Sequence, residues 1–357
     1  MMVSAPRALF VIDTPSQVFN LQEAVREYGI EDYDIITCDC CRADAYSQLQ
    51  QLLTRVQPSH LIQVPRVSGT VEERISVYAE HVPWLKQQGY HWVFFSNIRQ
   101  QWQRDIVCSL SGSKLVLMDD GNATLVFYRY LFSQGIFFDF PADPDLARAQ
   151  QALLTRQKYQ ICTLPPAQLE LFTVFDLAAL PWLSIRNNPL QAMTQRFPVV
   201  DDHTVLLLGG GETELNYLSE DHYIELLRKV LELFPGKRIQ YVPHRITNSD
   251  FVDRIGIELP VAIMQQHLPI EDWLRQQATP PATVVGFYSM ALTTIASCFD
   301  GIRVISVNPG LSTWSGAASS HVWNLTRCNN LQVIEAIMDY LRVCKSIEIN
   351  YLDTQAT

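Results

Sequence analysis

The sequence predicts an α/β fold with two domains, each built on a doubly wound parallel sheet. At 357 residues the chain is long for one hydrophobic core. Short apolar runs alternate with amphipathic helical segments, the pattern of parallel strands covered by helices on both faces. This alternation stops and then restarts near residue 195. We therefore expect domains at 1–195 and 196–330, followed by a closing helix and tail at 331–357.

The first half contains five predicted strands, each followed by a turn. After the first strand, for example, Val18, Leu21 and Val25 fall on one face of a helix. No GxGxxG pattern follows this strand, which argues against the usual dinucleotide-binding domain. The region 124–197 is irregular and aromatic. The predicted strands are 8–12, 34–37, 60–64, 91–95 and 115–118, with helices at 18–28, 43–57, 71–88 (broken softly by Pro83), 101–110 and 146–158 and short strands at 159–164 and 171–175.

The second half repeats the alternation. Pro269 and Glu271 mark a helix start, because proline and acidic residues favour the first turn. The predicted strands are 204–208, 238–242, 261–264, 283–285 and 303–307, and the helices that follow them include 221–234, 290–298 and 331–345.

Charge and composition exclude several functional classes. The net charge of −10 argues against non-specific nucleic-acid binding, which needs a basic surface. No run of about eighteen apolar residues predicts a transmembrane helix. The N-terminus lacks the layout of a secretory signal. We therefore expect a cytoplasmic protein.

Three of the eight cysteines are close together, at Cys38, Cys40 and Cys41. Such density can indicate a metal site, but no second Cys/His pair follows at zinc-site spacing. We therefore predict no metal. The other five are interpreted as buried small hydrophobic residues: Cys108, Cys162, Cys298, Cys328 and Cys344.

Polar residues follow several predicted strands of the first half. Asp119, Asp120 and Gly121 come directly after a buried strand, and ligands of open α/β sheets lie at the carboxyl ends of strands. The two acids can form a tight turn, bind an ion or supply a catalytic base. Gln17 can face a ligand or cap the first helix, and Asn97 follows the fourth strand.

Three turns of the second half have residues suited to a phosphate. The backbone N–H groups of Gly209, Gly210 and Gly211 can cradle an anion, although three glycines can equally be a flexible turn. His244 and Arg245 supply positive charge, and the histidine can also donate a proton to a leaving group. Ser289 can bind an anion at a helix start or act as an ordinary N-cap.

The order of these motifs resembles that of bacterial sialyltransferases. The resemblance is to lipooligosaccharide sialyltransferases of glycosyltransferase family 52 and to the related bacterial polysialyltransferases, and it covers most of the chain as short ordered motifs. It implies a GT-B fold, with two Rossmann-like domains facing a central cleft. The motifs are Thr14-Pro-Ser-Gln17, Asp119-Asp-Gly121, Pro243-His244, Pro269-Ile-Glu271 and Tyr288-Ser289.

The resemblance also implies roles for individual residues. Asp119 would be the general base for an acceptor hydroxyl, oriented by Asp120. His244 would bind, and could protonate, the phosphate of a CMP-activated sugar. The remaining assignments are Tyr288 and Ser289 on the same phosphate, Glu271 on the ribose or cytosine, Gly209 to Gly211 along the nucleotide, Arg245 on the donor side, and Gln17 and Asn97 on the acceptor side.

This chain departs from the family pattern at two motifs. Arg245 follows His244 where the families have proline, and Tyr288 precedes Ser289 where they have a pair of hydroxyl residues. An additional arginine suits a phosphate site, but these departures leave the donor sugar open.

We therefore expect an inverting, metal-independent glycosyltransferase that moves sialic acid or a related nonulosonate from a CMP donor to a glycan hydroxyl. Its partners would be the nucleotide sugar and the glycan acceptor, with no cofactor, in lipooligosaccharide or capsule biosynthesis. A lipid-linked acceptor would add peripheral contact with the inner face of the cytoplasmic membrane. The alternatives are a GT-B enzyme that uses another nucleotide sugar, either a glycosyltransferase or an epimerase, and a catalytically silent nucleotide- or glycan-binding protein.

Overall fold

Two units make up the protein, Met1–Ala192 and Met193–Thr357. The computed structural model describes residues 6–39, 43–138, 145–265, 268–314 and 328–352. The cysteine motif lies partly outside these ranges, at residues 40 and 41. Each unit is built around its own sheet.

The first unit contains a seven-stranded sheet in which all strands are parallel. Its central strands are apolar throughout because helices cover both faces. In spatial order the strands are β3 (His60–Val64), β2 (Asp32–Cys38), β1 (Arg7–Ile12), β4 (Trp92–Phe95), β5 (Lys114–Met118), β6 (Leu169–Thr173) and β7 (Leu183–Asn187).

The strand order of this sheet reverses between β1 and β4, since β1 pairs with β2 on one side and with β4 on the other. Ligands of doubly wound sheets bind at such a switch point, beyond the carboxyl ends of the strands. The turns that follow β1, β4 and β5 hold the predicted acidic and amide residues. The helices of the unit are α1 (Pro15–Glu27), α2 (Ala43–Leu53), α3 (Val71–Ala79), α4 (Val82–Gln87), α5 (Gln101–Ser109), α6 (Ala123–Tyr130) and α7 (Leu146–Lys158).

The helix expected at 71–88 with a break at Pro83 is two helices, and Pro83 lies in the first turn of α4, where its missing N–H costs nothing. Two other predictions for the first unit were wrong in detail. The irregular region after residue 123 contains α6 and the edge strand β7. The expected strand at 159–164 is absent, because α7 ends at Tyr159 and Gln160 turns the chain with a φ of 54°.

The second unit contains a six-stranded parallel sheet with its own switch point, between β9 and β12. Its spatial order is β11 (Ala262–Ile263), β10 (Arg238–Val242), β9 (Asp201–Leu208), β12 (Pro281–Gly286), β14 (Arg303–Asn308) and β15 (Glu348–Tyr351). A separate parallel pair joins β8 (Gln195–Arg196) to β13 (Phe299–Asp300). The helices are α8 (Glu220–Glu232), α9 (Ser249–Glu258), α10 (Ile270–Gln276), α11 (Met290–Cys298) and α12 (Asn330–Val343).

The sequence analysis missed α9 and β15. The expected closing segment is therefore more than a helix, because β15 follows α12 and extends the second sheet beside β14. Among the described residues, no helix has the length and apolar character needed to cross a bilayer.

Candidate functional site

Asp119 lies at the end of β5, beside the end of β6, and is 3% exposed. Thr173 donates its hydroxyl proton to Oδ1 across 2.7 Å, and the Val174 N–H donates to Oδ2 across 2.8 Å. Asn20 of α1 donates to the Asp119 carbonyl oxygen at 3.1 Å. The carboxyl group is thus fixed by a neighbouring strand and its backbone by the first helix.

Burial raises the pKa of Asp119 to about 7, against the opposing effect of hydrogen bonds from Thr173, Val174 and Thr124. The charge of Asp120 raises it further by a smaller amount. A carboxyl group that titrates near neutrality can exchange a proton with a substrate at physiological pH. A structural role in a tight turn is therefore not enough to explain the properties of Asp119.

Asp120 pairs with Arg99 rather than with Asp119. The distance from Arg99 Nη2 to Asp120 Oδ2 is 2.6 Å. Arg99 also donates to Asn97 Oδ1 through its backbone N–H, at 3.1 Å, and its Nε, at 3.4 Å. The structure thus joins Asp120 to Asn97, on the adjacent strand, through an arginine that the sequence analysis did not select.

Gln17 acts as a helix cap, one of its two predicted roles. Its Oε1 accepts hydrogen bonds from the backbone N–H groups of Asp13, at 2.7 Å, and Thr14, at 3.3 Å. The side chain is completely buried, yet Nε2 has no hydrogen-bond partner among the described residues. A buried donor of this kind is costly unless an acceptor reaches it.

Gly209, Gly210 and Gly211 follow β9, and side chains of other residues lie close to each of them. A Cβ would lie 2.3 Å from Tyr241 Oη at the first, 2.1 Å from Glu212 Oε1 at the second and 2.5 Å from Ile246 Cδ1 at the third. None of the three has a positive φ, so none needs glycine for a left-handed backbone conformation.

Glu212 is a buried acid within this turn, 2% exposed. Burial raises its pKa to about 7; its own N–H, the Tyr223 hydroxyl and the Gly210 N–H oppose the shift, whereas the charge of Glu214 adds to it. Its Oε2 has no hydrogen-bond partner within the described part of the chain. The second unit thus also holds a carboxyl group that titrates near neutrality.

His244 follows β10 and lies next to the glycine turn. Its Nδ1 would be 3.5 Å from a Cβ on Gly211, and it accepts a hydrogen bond from the Ile246 N–H at 3.4 Å. In the neutral ring the proton is therefore on Nε2. Arg245 is exposed.

Tyr288 and Ser289 follow β12, across the switch point from the glycine turn. Burial, with the charge of Glu212 as the second cause, raises the pKa of Tyr288 well above its usual value, so the hydroxyl stays protonated. Ser289 is the N-cap of α11, and its Oγ accepts from the Ala291 N–H at 3.3 Å.

Glu271 lies in the first turn of α10. Burial raises its pKa, opposed by its own N–H and by a hydrogen bond from Thr294 of α11, the helix that Ser289 caps. The structure thus brings Gly211 next to His244 and Gly210 next to Glu212.

Comparison with known proteins supports the fold. No protein-family model matches the chain, and no curated protein matches it. The Staphylococcus aureus MnaA–UDP complex has a TM-score of 0.51 at 9% identity, covering 85% of this chain and 79% of that one. The fold is GT-B.

Two further GT-B structures show the same likeness. The UDP-GlcNAc 2-epimerase of Neisseria meningitidis bound to UDP-GlcNAc has a TM-score of 0.50 at 10% identity, covering 95% of this chain and 92% of that one. The Methanocaldococcus jannaschii UDP-GlcNAc 2-epimerase has a TM-score of 0.50 at 12% identity, covering 85% and 84%. These proteins are not sialyltransferases, and no family match supports glycosyltransferase family 52.

The sequence analysis missed three residues of this GT-B chain: Glu212, Thr173 and Arg99. Glu212 could have been found, because an acid that directly follows three glycines at the end of a buried strand is itself a site signal. Thr173 and Arg99 could not, because their roles depend on which strands are neighbours in the sheet.

Proposed function

We propose that this protein is an enzyme that acts on a nucleotide sugar, with the nucleotide bound by the second unit and Asp119 exchanging a proton. The observation that carries the proposal is that each sheet places one buried carboxyl group, with a pKa of about 7, at the carboxyl ends of its strands. Such groups cluster at catalytic sites because structural acids are normally exposed or ion-paired.

The second unit suits the nucleotide. His244 supplies an Nε2–H donor, Tyr288 a protonated hydroxyl and Arg245 an exposed charge, which together fit a phosphate. Glu212 Oε2 can accept a hydrogen bond from a sugar or base. The first donor to test is a UDP-sugar, because GT-B structures similar to this one hold UDP or UDP-GlcNAc.

A second candidate is transfer of a nonulosonate from a CMP donor. The observation that favours it is the order of the Asp119-Asp-Gly121, His244 and Tyr288-Ser289 motifs. The two candidates differ in the nucleotide that the second unit selects, so binding separates them without knowledge of the acceptor.

Asp119 has a definite task in either chemistry. In a transferase it takes the proton of the acceptor hydroxyl as the new glycosidic bond forms, and the nucleotide leaves with the electrons of the broken bond, inverting the anomeric carbon. In an epimerase it takes a proton from a sugar carbon, and return of a proton to the opposite face of that carbon completes the inversion. His244 and Tyr288 stabilise the charge on the phosphate through hydrogen bonds. We assign no metal or cofactor to either reaction.

The acceptor, if there is one, belongs to the first unit. Gln17 Nε2 is a buried donor without a described partner, and Asn97 is held by Arg99. A glycan hydroxyl or carbonyl would satisfy Gln17. A lipid-linked glycan would also bring the protein to the inner face of the cytoplasmic membrane.

The test is calorimetric titration of the protein with UDP, CMP, CDP and GDP. We expect UDP to bind most tightly and its affinity to fall about tenfold or more in His244→Ala, because a hydrogen bond to a charged group is lost. His203→Ala is the matched control, since His203 is exposed near the opposite end of the same sheet. Preference for CMP would select the nonulosonate candidate. If none of the nucleotides binds, the proposal is wrong.

A further inference from the structure

The first unit contains a cavity of about 1190 Å³ that none of the candidate residues lines. Its walls come from the turn after β3 and from α3, α5 and α7. Gln17, Asn97, Asp119 and Asp120 are absent from its lining. Its volume exceeds that of most small-molecule sites, about 300–1,000 Å³.

The described lining of this cavity is strongly basic in an acidic protein. It contains five arginines and two aspartates, whereas the chain as a whole has a net charge of −10. The charged residues are Arg66, Arg74, Arg104, Arg148, Arg156, Asp39 and Asp105.

One of the two acids is already neutralised. Asp105 Oδ2 lies 2.9 Å from Arg156 Nε and accepts the Tyr78 hydroxyl proton at 2.6 Å. Arg104 donates to the Ile98 carbonyl oxygen and lies 5.2 Å from the ring centroid of Phe138. Burial lowers the pKa of Arg104 to about 9, so a nearby anion would stabilise its charged form.

Three donors of the cavity wall lack acceptors. Arg66 and Arg74 are exposed and make no side-chain hydrogen bond or ion pair with any residue in the described ranges. Trp102 is only 5% exposed, and its Nε1–H likewise has no partner there. A buried indole N–H normally donates to a hydrogen-bond acceptor. A ligand with several acceptor oxygens can accept hydrogen bonds from both guanidinium groups and from the indole N–H.

We propose that this cavity binds a ligand that carries a phosphate or diphosphate group. Arg66 and Arg74 hold the phosphate oxygens, and Trp102 donates to the same ligand. The volume leaves room for a larger body attached to the anion. Two sources supply this chemistry, a soluble phosphate ester and a lipid headgroup. The second source is relevant because α7, one wall of the cavity, exposes Leu153 and Leu154, each 52% exposed.

The experiment is calorimetric titration of the full chain with inorganic pyrophosphate, alone and with excess UDP. We expect binding to weaken about tenfold or more in Arg66→Ala/Arg74→Ala, because charge-assisted hydrogen bonds are lost. Lys114→Ala is the control: it removes an exposed charge at the start of β5. Trp102→Phe should weaken binding by a smaller factor of about three to ten at unchanged net charge, which a purely long-range charge effect would not produce.

A parallel arm measures sedimentation of the protein with vesicles of phosphatidylcholine, with and without phosphatidic acid. Arginine-dependent binding to the acidic vesicles alone would identify a lipid headgroup as the source, and arginine-dependent pyrophosphate binding alone a soluble ester. Equal binding by the wild type and the double variant, or binding to neither probe, would overturn the proposal. If pyrophosphate or the vesicles bind in an arginine-dependent way while UDP is also bound, this site is distinct from the nucleotide site. The same holds if they bind although UDP does not bind at all.

Discussion

Each of the two sheets has one buried carboxyl group at the carboxyl ends of its strands, but the two groups differ in their hydrogen bonds. Asp119 accepts hydrogen bonds on both oxygens, from Thr173 and Val174. Glu212 has one oxygen without a described donor and lies so close to Gly210 that a Cβ there would overlap it. Burial nevertheless raises both pKa values to about 7.

This difference separates two uses of a buried acid. The donors of Asp119 hold its charged form in one orientation, as a proton acceptor requires. Glu212 keeps one acceptor open, which suits a group that recognises a ligand hydroxyl or N–H. A pKa near 7 alone does not distinguish the two proposed roles, so their assignment rests on the hydrogen-bond patterns.

The largest expected effect comes from Asp119→Asn. Asparagine can accept from the Val174 N–H and donate to Thr173 Oγ1, so the fold should be retained, but the proton acceptor is lost. Turnover of the nucleotide sugar should fall about 10²–10⁴-fold. Nucleotide affinity, measured by calorimetry, should stay unchanged.

The matched variant is Glu212→Gln, which should weaken nucleotide binding more than turnover. If Asp119→Asn weakens binding while Glu212→Gln abolishes turnover alone, the two roles are assigned the wrong way round.

An intermediate effect is expected on stability. Because the pKa of Glu212 is raised from 4.5 to about 7 in the folded state, this group stabilises the fold fully below pH 4.5, and the contribution is lost as pH rises through 7. The free energy of unfolding of the wild type should therefore fall by roughly 3 kcal/mol relative to Glu212→Gln across this window. Urea unfolding of the two proteins from pH 4.5 to 8 measures it; parallel curves would contradict the burial of a protonated Glu212.

The smallest effect is expected from Thr173→Val, which keeps the shape of the side chain but removes its donor to Asp119. The pKa of Asp119 should rise by about one further unit, because a hydrogen bond to the charged form is lost. The rising limb of the pH–turnover profile should move to higher pH by the same amount. Thr124→Val, another donor to Asp119, provides the comparison. A fall in turnover without a shift of the profile would mean that Thr173 only supports the fold.

Much of the fold is predictable from periodicity. Strands such as β1, β5 and β9 contain a continuous apolar run that ends in a turn, so both their existence and their carboxyl ends can be read from the sequence. Strand β7 could not be predicted, because Leu183 to Asn187 is a partly exposed edge strand without a continuous apolar run. Its place in the sheet depends on pairing with β6.

The candidate site likewise contains residues whose positions the sequence predicts and residues that it could not predict. Asp119 and His244 follow strands directly, so their positions could be inferred, although their roles remain predictions. The partners that set their chemistry come from distant segments: Thr173 is 54 residues beyond Asp119, and Arg99 is 21 residues before Asp120. The glycines show another limit: the sequence suggested a phosphate loop or a flexible turn, but it could not show that the side chains of Tyr241 and Ile246 lie beside them.

The late position of β6 has a consequence for the order in which the protein folds. Strand pairing over long sequence separations is slow, and domains form from the N-terminus during synthesis. Asp119 is translated before the strand that supplies its two donors. Until β6 joins β5, this residue is an aspartate without its native partners, and its shifted titration begins only after that docking. An NMR titration of Asp119 during refolding would therefore time the docking of β6 against β5.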